Sequence, residues 1–106
     1  MICRVWRGWT RVENAGAYEA VVRGQVIPGI EAMEIEGFRQ IDLLLQEDGD
    51  EVAFMTLMWF DNLDAVRAFM GEDYAVSHVP EAARAVLSRF DARAAHFTVL
   101  ERRAQG

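Results

Sequence analysis

His78 and His96 are the only side chains of this chain that are neutral near pH 7 and basic enough to accept a proton there. His78 falls in an irregular stretch after a helical segment, where a loop either holds it over a pocket or leaves it in solvent. His96 opens the last strand-like segment, where it either faces a cleft between sheet and helices or packs at a sheet edge. A strand holds a catalytic group more rigidly than a loop does, which favours His96 as the base. Tyr74, just after Gly71-Glu72-Asp73, can lend its hydroxyl to a substrate oxygen or simply close a helix end. Arg4 and Arg7 stand on opposite faces of the first strand, an unusual place for cations, because an unpaired buried guanidinium is costly. Either they recognise an anion or a developing oxyanion, or one pairs across a subunit contact while the other reaches water at the sheet end. Trp6 and Trp59 lie on two different strands, and a flat indole with one N–H donor suits a ligand wall as well as ordinary core packing. Phe69, on the apolar stripe of a helix, joins them as a candidate ligand contact.

Composition narrows the chemistry. A net charge of -6, from 17 acidic residues against 11 arginines and no lysine, argues against nucleic acid, whose phosphates select clustered cations. Cys3 is the only cysteine, so neither an intramolecular disulfide nor a thiolate metal cluster is expected. The two histidines show no short ligand spacing, and no glycine-rich phosphate loop follows a strand, so no metal, flavin or nicotinamide cofactor is predicted. No apolar run approaches the ~20 residues of a membrane span, and Arg4 and Arg7 interrupt the N-terminal segment. The expected setting is cytoplasmic, with no membrane partner.

These residues need elements to carry them, and 106 residues make one domain, residues 1–106. Ile2 to Trp9 reads as a first strand. Thr10 and Glu13 fit a capping box, and Ala15, Tyr18, Val22 and Val26 follow at helical spacing until Pro28-Gly29 breaks or kinks the helix. A short helical piece, Ile30 to Ile35, continues beyond. Phe38 to Glu47 is a second strand with Ile41, Leu43 and Leu45 on one face and Phe38, Gln40, Asp42 and Leu44 on the other. Asp48-Gly49-Asp50 predicts a tight hairpin turn into Val52 to Phe60. Asp61 is expected to cap a helix with Leu63, Val66, Phe69 and Met70 inward, stopped by Gly71. Pro80 starts a third short helix with Ala83, Val86, Leu87 and Phe90 on its apolar side, and Ala94 to Leu100 is the last strand.

The order βαββαβ, with one more short helix, predicts an α+β ferredoxin-like subunit: a four-stranded antiparallel sheet with helices on one face and the first and third strands central. The run Val52 to Phe60 carries no charge, with Leu57 and Trp59 on one side and Thr56, Met58 and Phe60 on the other. A strand that apolar must be covered on both faces. Helices from so short a chain cover only one, so the other is expected to meet a second copy in a homodimer.

Three segments, Ile2–Thr10, Asp61–Tyr74 and Ala95–Val99, resemble the antibiotic biosynthesis monooxygenase family of the dimeric α/β barrel superfamily. The resemblance implies that barrel dimer, and an activity in which an electron-rich phenol or anthrone is oxygenated without flavin or metal. Once deprotonated, such a substrate donates its own electron to oxygen, so the protein must supply a base, donors for the oxyanion and an aromatic pocket. On that resemblance His96 and His78 are the candidate bases with Tyr74 assisting, and Trp6, Trp59, Arg4, Arg7 and Phe69 contact a small aromatic, quinone-like molecule. A rival reading is a non-catalytic small-ligand-binding or stress-response dimer, and the superfamily also includes lactone isomerases, members with no known reaction, and heme-degrading enzymes with an Asn on the first strand, a Trp late in the second helix and a following His. Here the first strand has no Asn and the helix has Phe69, so only His78 matches the heme-degrading pattern.

Overall fold

The computed structural model describes residues 1–106. Strand β1 (Ile2–Arg11) leads through one turn of 3₁₀ helix to α1 (Ala15–Val21), and a wider π-helical segment (Val22–Val26) connects it to α2 (Ile27–Ala32). Then come β2 (Phe38–Asp48), β3 (Glu51–Phe60), α3 (Leu63–Met70), the single turn α4 (Glu81–Arg84), β4 (Arg89–Phe90) and β5 (Ala95–Thr98). The sheet is antiparallel in the order β2-β3-β1, and the outer edge of β1 is shared by β4 and β5 in succession. This is the ferredoxin-like plan, with its fourth strand interrupted between Phe90 and Ala95. The hairpin at Gly49 forms as the Asp-Gly signal requires, with Gly49 at a φ of 63°.

Pairing fixes the faces. Arg4 lies opposite Met58, and Trp6 opposite Thr56, so the even-numbered residues of β1 and β3 share the helix-covered side. Two apolar clusters fill that side. Tyr18, Val22, Val52, Phe54 and Ala83 form one under α1, and Met58, Phe60, Ala65 and Val66 form the other under α3. The opposite side carries Val5, Met55, Leu57 and Trp59 with no helix over it, and Leu44 and Phe97 on the same side are 45% and 56% exposed.

Several local expectations are corrected. Thr10 does not cap a helix: β1 runs on to Arg11 because it pairs with β3 as far as Glu51, and the Thr10 side chain is buried without a hydrogen-bond partner. Pro28 does not break the helix. The π segment just before it widens the turn where the proline ring would otherwise strike the preceding carbonyl, and the helical course passes through. Phe38 does not share a face with Gln40, since a bulge at Arg39 turns its ring to Phe60, with centroids 5.3 Å apart. The cap of α3 is Asn62, whose Oδ1 accepts from the Ala65 amide at 3.0 Å, while Asp61 accepts from Arg39 Nε at 2.8 Å. Phe90 belongs to β4 rather than to a helix, because α4 ends at Arg84 and the chain then pairs with Gly8 and Trp9.

Candidate active site

Between the two apolar clusters the sheet and helices part to leave a cavity of about 90 Å³. Its floor is Arg4, Trp6, Ile41, Thr56 and Met58 of the sheet, and its roof is Tyr18, Val22, Val26, Ile27 and Ile30. Phe69 and Met70 of α3 and the loop residues Ser77, His78 and Val79 close the side. The floor follows from strand alternation, since Arg4, Trp6, Thr56 and Met58 are all even-numbered members of paired strands. The roof follows from helical periodicity, carried through the π segment. Beyond Val26, Ile30, Phe69, Met70, Ser77 and His78 lies an open groove of about 790 Å³ that also reaches Met33, Asp73 and Pro80. Those six residues are shared walls, so they divide the cavity from the groove.

Arg4 is the only charged residue in the cavity wall, and it is 5% exposed. No carboxylate reaches it. Its Nη1 donates to the Tyr74 carbonyl at 2.6 Å and meets His96 Nε2 at 3.0 Å, while its guanidinium carbon stands 5.7 Å from the Phe69 ring centroid. Burial pushes the Arg4 pKa down to about 10, which leaves it protonated at neutral pH. A guanidinium only donates, so His96 Nε2 must accept, and the His96 proton resides on Nδ1. Burial, and then the Arg4 charge, hold the His96 pKa below its ordinary value, consistent with that neutral tautomer. The Tyr74 ring meets His96 edge-on with centroids 4.9 Å apart, fixing the imidazole from its other side.

The sequence candidates therefore divide. Arg4, Trp6, Phe69 and His78 come together on the cavity. His96 and Tyr74 stand behind Arg4, and Tyr74 contributes its carbonyl rather than its hydroxyl. Trp59 pairs with Cys3 and Arg7 with Met55, which puts both on the open side of the sheet; Arg7 binds Asp91 at 3.2 Å there, and Arg102 lies over the Trp59 ring. His78 is exposed and lines both cavity and groove, so its imidazole is reachable from either. The Trp6 indole is held by donation from Nε1 to the Asp91 carbonyl at 2.9 Å. Sequence reasoning did not single out Tyr18, Thr56 or Ser77 as site residues. Tyr18 was legible only as part of a buried helix stripe, and the β1–β3 register that brings Thr56 to the cavity is set by contacts distant in sequence.

An apolar slot with one buried cation in its wall and a histidine at its mouth can hold a flat apolar molecule, favour its anionic form and take up a proton. Solved structures share the whole architecture. A Bacillus cereus protein named as an antibiotic biosynthesis monooxygenase superposes over 98% of this chain and 97% of its own, with a TM-score of 0.66 at 15% identity. The fold is that of the antibiotic biosynthesis monooxygenases. SnoaB, a cofactor-independent oxygenase from Streptomyces nogalater, is similar over 95% of this chain and 94% of its own (TM-score 0.61, 21% identity). Rv0793 from Mycobacterium tuberculosis is similar over 97% of this chain and 98% of its own (TM-score 0.60, 18% identity). No family model matches the sequence, and no curated protein matches it at a significant level. No helix is long and apolar enough to cross a membrane, and no group of three or more His, Cys, Asp or Glu side chains is placed to hold a metal ion.

Proposed function

We propose that this protein is a cofactor-independent oxygenase for a small, flat hydroxyaromatic or anthrone-like molecule, and that it works as a homodimer. The observation that carries this reading is Arg4, a buried cation without a carboxylate partner in the wall of an otherwise apolar cavity. Burying such a charge costs several kcal/mol unless an anion offsets it, and the anion of the substrate does so. An opposite charge within ~4–6 Å lowers the pKa of an acidic group by ~1–3 units, so Arg4 favours the phenolate or enolate. His78, at the mouth, takes the proton and passes it to solvent.

The ionised ring then reduces oxygen directly. For an anthrone the balance closes without another reductant: the CH₂ carbon becomes C=O, one oxygen atom stays on that carbon, and the other leaves as water with both hydrogens. The four electrons that reduce oxygen all come from that carbon. Trp6, Met58, Phe69 and the helical roof hold the ring and keep water from the intermediate.

The open side of the sheet, with Val5, Met55, Leu57 and Trp59 uncovered by helices, is the dimer face. Light scattering should give twice the chain mass, and a clean monomer would overturn the assembly. The activity is tested with an oxygen electrode and a panel of hydroxyanthrones. Catalysed uptake should exceed the spontaneous rate and fall at least about 100-fold in His78→Ala. Uptake equal to that of the protein-free solution throughout the panel would overturn the oxygenase reading.

A further inference from the structure

We propose that the molecule bound in this cavity presents two parallel oxygens sharing one negative charge to the Nε–Nη2 edge of Arg4. This rests on the reading of the cavity as a site for an anionic aromatic. A guanidinium carries five N–H bonds: two on Nη1, two on Nη2 and one on Nε. Both Nη1 hydrogens are taken by the protein, one by the Tyr74 carbonyl and one by His96 Nε2. Nε and Nη2 find no partner in the protein. Neither is sealed off, for the Thr10 hydroxyl is the only fully buried side-chain polar atom left unpartnered. Arg4 lines the cavity, which is therefore where the little surface that these atoms keep is taken to open.

What remains available is therefore the side of the fork, where the Nε–H and one Nη2–H run parallel and match two coplanar acceptors. A single phenolate oxygen satisfies one of these bonds well and leaves the other poorly aimed. Two groups of suitable shape fit a flat ring system: a ring carboxylate, and an ionised hydroxyl beside a ring ketone. The contacts behind Arg4 keep the edge aimed, because Tyr74 and His96 hold Nη1 and Phe69 lies against the guanidinium. Lysine at this position would keep the charge and lose the fork.

A matched pair of ligands tests this by calorimetry and by quenching of tryptophan fluorescence, at a pH where both are ionised. Pentafluorobenzoate offers two oxygens and pentafluorophenolate one, on the same ring. Wild-type protein should bind the benzoate at least about tenfold more tightly, and Arg4→Lys should abolish most of that preference while still binding the phenolate. Equal binding of the two anions by wild type, or an equal loss of both in Arg4→Lys, would overturn the proposal. If circular dichroism shows Arg4→Lys unfolded, the wild-type preference alone decides. The source of the oxygen pair is read from 1-hydroxyanthraquinone, whose hydroxyl adjoins the ketone, against the 2-hydroxy isomer, where the two are apart. Tighter binding of the 1-isomer, with the colour change of ionisation, assigns the hydroxy-ketone pair; no preference between isomers beside a strong benzoate preference assigns a carboxylate. Because these ligands are not oxygenated, a failure of oxygen uptake and a failure of the fork are separate results.

Discussion

Replacing Arg4 with Met should leave the stability nearly unchanged and make the protein a worse receptor for anions, a combination that a purely structural arginine would not give. Burial lowers the Arg4 pKa to about 10. At about 1.4 kcal/mol for each tenfold change in the dissociation constant, the fold carries roughly 3 kcal/mol of cost for keeping that charge. Against this stand the two Nη1 contacts, to the Tyr74 carbonyl and His96, worth about 1.5 kcal/mol each because their donor is charged. The two terms nearly cancel, so the Met variant should stay within about 2 kcal/mol of the wild type. Denaturant unfolding of both proteins at one protein concentration measures the change, and titration with pentafluorobenzoate should show affinity falling about 10- to 100-fold. A loss of more than about 2 kcal/mol in the Met variant would refute the reasoning, because Arg4 would then be holding the fold together rather than waiting for a ligand.

His96 resists protonation in the fold, so its share of the stability is fully present above its ordinary pKa of 6.5 and is lost as pH falls through its lower folded-state value; His96→Gln should flatten the stability-against-pH curve in that window. Glu51 and Asp61, held below 4.5 and 3.8 chiefly by hydrogen bonds from Arg89 and Arg39, account for a separate loss at more acid pH that this variant should leave in place. A Cβ at Gly8 would sit 2.9 Å from both Leu87 Cδ2 and Trp6 Cη2, so Gly8→Ala should cost about 1–3 kcal/mol in denaturant unfolding and shift the Trp6 emission as the indole leaves the cavity floor. Leu57→Asp places a charge on the open side of the sheet and should convert the proposed dimer to monomer or aggregate in light scattering at micromolar concentration, whereas no change from wild type would argue against this face as an interface.

β1, β2, β3 and the hairpin between the last two were legible because alternation and the Asp48-Gly49 turn are local signals, whereas β4 was hidden because Phe90 fits the apolar side of a helix equally well. The same period separates Met58 and Phe60 from Leu57 and Trp59, while only the packed structure puts the first pair under the helices. The errors cluster where two local patterns compete. Thr10 and Glu13 spell a helix cap, yet pairing with β3 extends β1 through Thr10; Asp61 and Asn62 are both good caps, and Arg39 claims the first. Pro28 passes only because a π segment precedes it, and no residue pattern announced that segment. In the site, Arg4 was visible as an anomaly, a cation on a central strand. Its meeting with His96 depends on the β1–β5 register, set by contacts distant in sequence, and so could not be read beforehand. Trp59 and Trp6 looked equivalent until the register placed them on opposite faces.

Whether the buried Arg4 charge ionises what the cavity binds is read from a spectrophotometric acid titration of 1-hydroxyanthraquinone, free and with saturating protein. The bound hydroxyl should ionise ~1–3 pH units below the free one, and the shift should disappear with Arg4→Met. A bound probe that titrates where the free one does, or higher, would contradict this.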